Sequence, residues 1–249
     1  MISQDRWKRA QSYEQGFWQG VAERAAKGSY DQIAFYEWRA GELMKRLARL
    51  GLDGIPNEHS HVLELGSGPV GVVGFLPGSE KVAVDPLNTY YASDENLTEL
   101  RKPDVDYVAA GGEDVPLDSE RYDLVIMENC IDHTHDPIAV MGEIYRLLRP
   151  GGVLYLTVNG RSRPGYWMHR MLARLALDPG HPHTYTSARF RRMILDFDFD
   201  ILDFEEHSWK KAWIQDLRSD KNRDRLKGLL FVSEHLLAAV ARKPAADQS

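Results

Sequence analysis

A chain of 249 residues, 43% apolar and 27% charged, is long enough to bury a sizeable core in one large domain or in a core domain with an added subdomain. Its formal charge of −6 leaves no electrostatic case for nucleic acid or another polyanion, and a single cysteine, Cys130, excludes an intrachain disulfide or a multi-cysteine metal centre. No apolar run reaches the ~18–20 residues that span a bilayer, and the opening MISQDRWKRAQ is too charged for a secretory leader, so the expectation is a cytoplasmic protein without a membrane or nucleic-acid partner.

Residues 4–50 carry apolar and aromatic side chains at helical spacing, broken at Gly28-Ser29 and ended by Gly51 and Pro56. From residue 61 the texture changes to short apolar strands separated by helix-length segments. The expected strands are His61–Leu65, Lys81–Val84, Val105–Val108, Tyr122–Met127 and Val153–Val158. Helices are expected after the glycine-rich turn that follows the first strand, at Asp94–Arg101, at Ile138–Leu148, near Tyr166–Leu177 and at Ser187–Asp196; Pro150-Gly151-Gly152 reads as a turn. A sixth strand at Asp200–Glu206 and a strand over the ambiguous His235–Ala241 complete the pattern. Together these imply an α/β fold: a Rossmann-like, doubly wound, mainly parallel seven-stranded sheet with helices on both faces.

The chemistry concentrates in VLELGSGPVGVVGFL, residues 62–76, where Gly66, Gly68 and Gly71 stand at G-x-G-x-x-G spacing with Ser67 between the first two. Glycines in that arrangement allow a tight turn and close backbone approach, and tight strand–helix packing alone also produces such turns. The acid at the end of the second strand, Asp85, stands about 20 residues on, where a carboxylate can hold a ribose hydroxyl pair. That placement favours a nucleoside ligand over packing. Glu64, just before the glycines, would repel a pyrophosphate and suits a ligand bearing an ammonium or sulfonium.

ELGSGPVG (64–71), VAVDP (82–86), GGEDVPLDSERYDLVIMENCIDHTHDP (111–137) and IYRLLRPGGVLYL (144–156) occur in an order and spacing that resembles the class I S-adenosylmethionine-dependent methyltransferases, in particular those acting on small molecules. The later HPHTYTSARFRRMILDFDFDIL and HLLAAVARKP are similar to that family's last two strands, and DPLNTYY and IDHTHDP to methyltransferases of bacterial glycan and secondary-metabolite clusters. The resemblance implies that Glu64 and the Gly66–Gly68 backbone face the methionine part of the cofactor and that Asp85 pairs with the ribose hydroxyls. It further implies that Pro86 and Leu87 pack near the adenine, and that Asn129 and Cys130 line the sulfonium side. The chain departs from the family at Gly111, where an acid commonly meets the adenine amino group; Glu113 or Asp114 is expected to take over. It also implies an N-terminal helical cap over residues 1–55, and a main domain over 56–249 with a lid or acceptor insertion at about 160–187.

Methyl transfer from a sulfonium needs alignment more than chemistry from the protein, and no metal is expected. Where the acceptor must lose a proton, a histidine is the natural base. His133, just past the fourth strand, is one candidate, set against a structural role beside the Asp136-Pro137 helix start. His183 is the other, with His181 and Tyr185 expected in the acceptor pocket or, equally, in a surface turn. Tyr13, Phe17, Trp18 and Tyr30 read either as a lid over the pocket or as the buried face of a helix. The resulting expectation is a methyltransferase acting on a small molecule or saccharide, with oxygen the favoured acceptor atom and a homodimer left open. A nicotinamide-dependent oxidoreductase and a catalytically silent cofactor-binding domain are the alternatives.

Overall fold

The computed structural model describes residues 2–27, 32–174 and 180–245. The expected helix break at Gly28-Ser29, Tyr30 and the helix end near Leu177 lie outside them. Two helices, α1 (Gln4–Ala26) and α2 (Gln32–Arg49), precede β1 (His61–Leu65) and β2 (Glu80–Val84). Short α3 (Asn88–Tyr91) and α4 (Glu95–Thr98) lead to β3 (Asp106–Val108) and β4 (Tyr122–Glu128), followed by α5 (Pro137–Leu147), β5 (Leu148–Arg161) and α6 (Arg163–Arg174). The chain closes with α7 (Ser187–Leu195), β6 (Asp200–Glu206), α8 (Trp209–Arg218), α9 (Asn222–Leu229) and β7 (Glu234–Arg242). Among the described residues no helix is long and apolar enough to cross a membrane.

The seven strands form one sheet in the order β3-β2-β1-β4-β5-β7-β6; the first five run parallel, and β7 is antiparallel to both of its neighbours. The central strands are buried on both faces, as a sheet covered by helices on both sides requires. Leu63, Leu65, Val125, Met127, Leu154 and Leu156 point into one layer with Met141 and Ile144 of α5 and Phe190 and Ile194 of α7. Their alternates, Val62, Leu124, Ile126 and Val153, point into the other with Tyr36, Leu43 and Leu47 of α2. α5 starts where the sequence places it, with the Asp136 side chain accepting from the Ile138 amide and Pro137 in the first turn.

Two expectations are corrected. The helix expected after the glycine turn is one 3-10 turn, Val72–Phe75. Gly71, Gly74 and the Pro77-Gly78 pair crowd one short segment, and each glycine costs a helix about 1 kcal/mol while proline ends it. Pro150-Gly151-Gly152 is no turn between elements but an irregular stretch inside β5, where Gly151 has φ +78° and the pairing with β4 jumps from Tyr122 to Leu124.

α1 lies over the carboxyl ends of the parallel strands. Its Ala22 and Trp18 pack with Leu87, Tyr91 and Leu97 of the segment after β2. α2 is tied down by Arg46, whose guanidinium reaches Asp203 and Glu205 of β6 and the Ala238 carbonyl of β7.

Candidate functional site

β1 delivers the chain into the glycine loop at the sheet's centre, where ligands of open α/β sheets bind. Gly66 (φ +69°) and Gly68 (φ +63°) occupy the left-handed region, and neither has room for a side chain. A Cβ on Gly66 would stand 2.2 Å from Cys130 Sγ, and one on Gly68 would stand 2.7 Å from the Trp18 ring. The loop is fastened to the next strand twice. The Gly66 amide donates to the Val84 carbonyl at 2.8 Å, and the Gly68 amide donates to Asp85 Oδ2 at 3.0 Å. Asp85 Oδ1 accepts from the Leu87 amide at 2.8 Å. The Tyr91 hydroxyl is a third partner of this carboxylate, which leaves room for one ligand donor unless that hydroxyl gives way. Burial pushes the Asp85 carboxyl up to about 6, against the two amide hydrogen bonds that favour its charged form.

A cavity of about 890 Å³ opens over this loop. Gly66, Ser67, Gly68, Asp85, Pro86 and Leu87 form one wall, and Asn129, Cys130 and His133 after β4 form another. Tyr13 and Trp18 of α1 and His181 of the insertion also line it. Trp18 stands edge-on to Tyr91, ring centres 6.1 Å apart, so the aromatic face of α1 serves as packing and cavity wall at once. Cys130 Sγ donates to the Leu65 carbonyl at 3.3 Å, and burial raises its thiol pKa. It is therefore a wall residue and no nucleophile.

Several expected site residues stand elsewhere. Glu64 and Gly71 lie behind the loop, off the cavity wall. The Glu64 carboxylate accepts from the Val73 amide at 2.8 Å, holding the 3-10 turn in place, and fills the space a Cβ on Gly71 would take. Burial pushes its carboxyl up to about 8 despite the nearby Arg39 charge. A carboxyl raised from an ordinary value near 4.5 supports folding fully below pH 4.5, and that contribution is lost as the pH rises through 8. Glu64→Gln is therefore expected to leave stability near wild type at pH 5 and to raise it by about 1–3 kcal/mol at pH 9, read by urea unfolding at both pH values.

Asp114 is also off the cavity wall, whereas Gly112 and Glu113 line it. Glu113 is partly committed: its Oε1 accepts from the His135 and Asp136 amides at 2.7 and 3.1 Å. His183 and Tyr185 line a neighbouring hollow of about 710 Å³ instead. Tyr185 packs in the core against Phe190, and burial lowers the His183 pKa. The His183 ring is engaged by the Thr134 carbonyl at 2.9 Å and its amide by the Asp132 carbonyl at 3.1 Å, so it straps the insertion to the loop after β4. That strap brings His181, from the same H-x-H, within 4.8 Å of the His133 ring centre.

Sequence reasoning passed over four further residues. Glu14 of α1 places its Oε1 3.2 Å from His133 Nδ1. Asp132 is buried, with Oδ1 3.8 Å from His133 Nε2. Arg39 of α2 and Glu128 at the end of β4 form an ion pair at 2.5 Å on the cavity wall. An acid closing the apolar strand YDLVIME was the one signal available for this pair; Glu14 gave none, because nothing in one helix says what packs above it.

The fold and the glycine–Asp85 constellation are those of a Rossmann-like, nucleoside-binding domain. Residues 63–156 match a model of the methyltransferase domain. The chain is 29% identical over 187 residues, 72% of its length, to sarcosine/dimethylglycine N-methyltransferase of Halorhodospira halochloris. It is 30% identical over 175 residues, 64% of its length and 67% of the relative's, to malonyl-[acyl-carrier protein] O-methyltransferase of Enterobacter lignolyticus. The chain spans 63% of the first relative and about half of several others. Haemonchus contortus phosphoethanolamine N-methyltransferase 2, solved with S-adenosyl-L-methionine, shares the fold over 80% of this chain and 52% of its own, at TM-score 0.58 and 17% identity. The chain belongs to the class I S-adenosylmethionine-dependent methyltransferases.

Proposed function

We propose that this protein transfers a methyl group from S-adenosylmethionine to a hydroxyl of a small molecule or saccharide. One observation carries the reading: a single cavity joins the glycine loop and Asp85 to a polar wall of His133, His181 and Glu14. The residues fit the cofactor. Gly66, Ser67 and Gly68 bring backbone to the cavity wall beneath Cys130 and Trp18, where a methionine moiety would lie, and Asp85 would accept from the ribose hydroxyls as the Tyr91 hydroxyl gives way. Pro86 and Leu87 would flank the adenine, Glu113 would meet its amino group, and Asn129 and Cys130 would border the sulfonium, all five lining the same cavity. When bound, S-adenosylmethionine supplies an electrophilic methyl carbon for in-line displacement, with a neutral thioether as leaving group.

The chain's own work is to align and to exclude water. Trp18 closes over Gly68, and Tyr13 and Phe17 offer half-exposed rings on which a sugar face can stack. The polar wall after β4 would receive the acceptor, and His133, with Glu14 Oε1 3.2 Å from its Nδ1, is the base nearest to hand for the acceptor's proton. A hydroxyl needs such a group at neutral pH; an unprotonated amine does not, which is why oxygen is favoured.

Calorimetric titration with S-adenosylmethionine, S-adenosylhomocysteine and NAD tests the reading. Micromolar binding of both adenosyl ligands without NAD binding is the expected result and justifies an acceptor screen. NAD binding, or binding of none of the three, overturns it.

A further inference from the structure

We propose that Asp132, His133 and His181 form a binding site for one divalent transition-metal ion in the cavity wall beside the glycine loop. The three side chains come from two segments far apart in sequence, the loop after β4 and the insertion before α7. One donor atom from each lies within 4.8 Å of the others. Two imidazoles and a carboxylate on one side of an ion leave open positions on the other, a donor set that suits Mn, Fe, Co or Zn better than Mg or Ca. Ligands about 2.1 Å from an ion in tetrahedral geometry stand about 3.4 Å apart, so the widest separation in the trio has to close by roughly 1.4 Å on binding, within reach of side-chain rotation.

Two independent features point the same way. Asp132 is 2% exposed, and its Oδ1 accepts no hydrogen bond from any described residue. A buried carboxylate oxygen left in that condition is costly unless something cationic meets it. An outer-shell carboxylate is also at hand: Glu14 Oε1 lies 3.2 Å from His133 Nδ1, close enough to take up the hydrogen bond that this nitrogen does not yet make, while Nε2 stands 3.8 Å from Asp132 Oδ1. A carboxylate behind a histidine is how metal-binding imidazoles are commonly oriented. The His183 strap, through the Asp132 and Thr134 carbonyls, holds the two ligand segments against each other.

His133 and His181 line the cavity and Asp132 backs them, so the open positions of the ion face the acceptor. There it acts as a Lewis acid. An acceptor hydroxyl bound to the ion gives its proton to water; the resulting oxygen forms the O–CH₃ bond as the S–CH₃ bond breaks, its electron pair staying on sulfur. The proposal departs from the expectation of a metal-free site and, with an ion bound, gives the ion the part that His133 plays as a base in its absence. It deepens the methyltransferase reading, which it needs for the acceptor's role and not for ion binding itself.

The test is titration of metal-stripped protein with cobalt(II) chloride, followed by calorimetry and by visible absorption. One ion per chain is expected, with affinity lowered about 100-fold in Asp132→Asn and in His181→Gln and unchanged in the exposed-turn variant His59→Ala. Circular dichroism and S-adenosylmethionine affinity on the same samples separate loss of the site from loss of the fold. Electron paramagnetic resonance of the copper(II)-loaded wild type needs no variant and should show nitrogen coupling from two imidazoles. No stoichiometric cobalt binding, equal binding by all variants, or a copper spectrum without paired imidazoles overturns the proposal. Cobalt binding without S-adenosylmethionine binding upholds the ion site and overturns only the methyltransferase reading.

Discussion

Asp85→Ala is expected to weaken S-adenosylmethionine binding by about 100- to 1000-fold while the protein stays folded. Two ribose hydroxyls donating to a buried carboxylate make two charge-assisted hydrogen bonds, each worth roughly 1.5–3 kcal/mol. The same carboxylate orders the loop through the Gly68 and Leu87 amides, so its removal also loosens the cradle before any ligand arrives. The pH dependence has a definite sign. Burial lifts the Asp85 carboxyl from its ordinary 3.8 to about 6, so its support for folding is complete below pH 3.8 and is lost as the pH rises through 6. Hydroxyl donors reward the charged form. Affinity should therefore be full above pH 6 and fall about tenfold per unit below it, with the thermal shift given by the cofactor larger at pH 8 than at pH 5. Asp85→Asn should bind weakly with a flat profile. Calorimetry from pH 5 to 8 checks both; a wild-type affinity that stays constant across that range sinks this account of Asp85.

Gly66→Ala should be severely damaging for a change of a single methyl group. The added Cβ meets Cys130 Sγ at 2.2 Å and Cys130 Cβ at 2.8 Å, contacts that real atoms do not make, and φ +69° adds strain for any L-residue. Overpacking of that kind costs roughly 1–3 kcal/mol and the left-handed backbone about 1–2 more. The loop cannot yield toward β2, because the Gly66 amide is bonded to the Val84 carbonyl. Urea unfolding should therefore show a loss of roughly 2–5 kcal/mol together with loss of cofactor binding. The double variant Gly66→Ala/Cys130→Gly removes the clash and should recover all but the backbone strain, measured against Cys130→Gly alone. A Gly66→Ala protein within 0.5 kcal/mol of wild type would mean that the Cys130 contact is not rigid.

Most of the sheet could be read in advance because each parallel strand is an apolar run bounded by punctuation, and because Gly66, Gly68 and Asp85 are demanded by local geometry. What escaped depends on contacts between segments. The missing helix after the loop was lost to Gly74 and Pro77-Gly78, whose cost outweighs the apolar run around them. Glu64 looked like a ligand-facing acid, yet on an all-buried strand its pleat sends it behind the loop to the Val73 amide. Glu113 was available for adenine by position, but the unpaired amides ahead of α5 claim one of its oxygens. In HPHTYT the two histidines are indistinguishable by sequence; only the strap from His183 to Thr134 decides that His181 is the one delivered to His133.

The shared cavity also bears on how the protein could be inhibited. Asp85, Cys130, His133 and His181 line the same chamber of about 890 Å³. Two weak fragments, an adenosine analogue and a metal- or imidazole-directed group, can therefore be joined by a linker of a few atoms. The second contact then becomes intramolecular, at an effective concentration in the millimolar range, and the joined molecule can exceed the better fragment by about 10²- to 10⁴-fold. A wall between the two regions would cancel that gain, so the gain itself measures how continuous the chamber is.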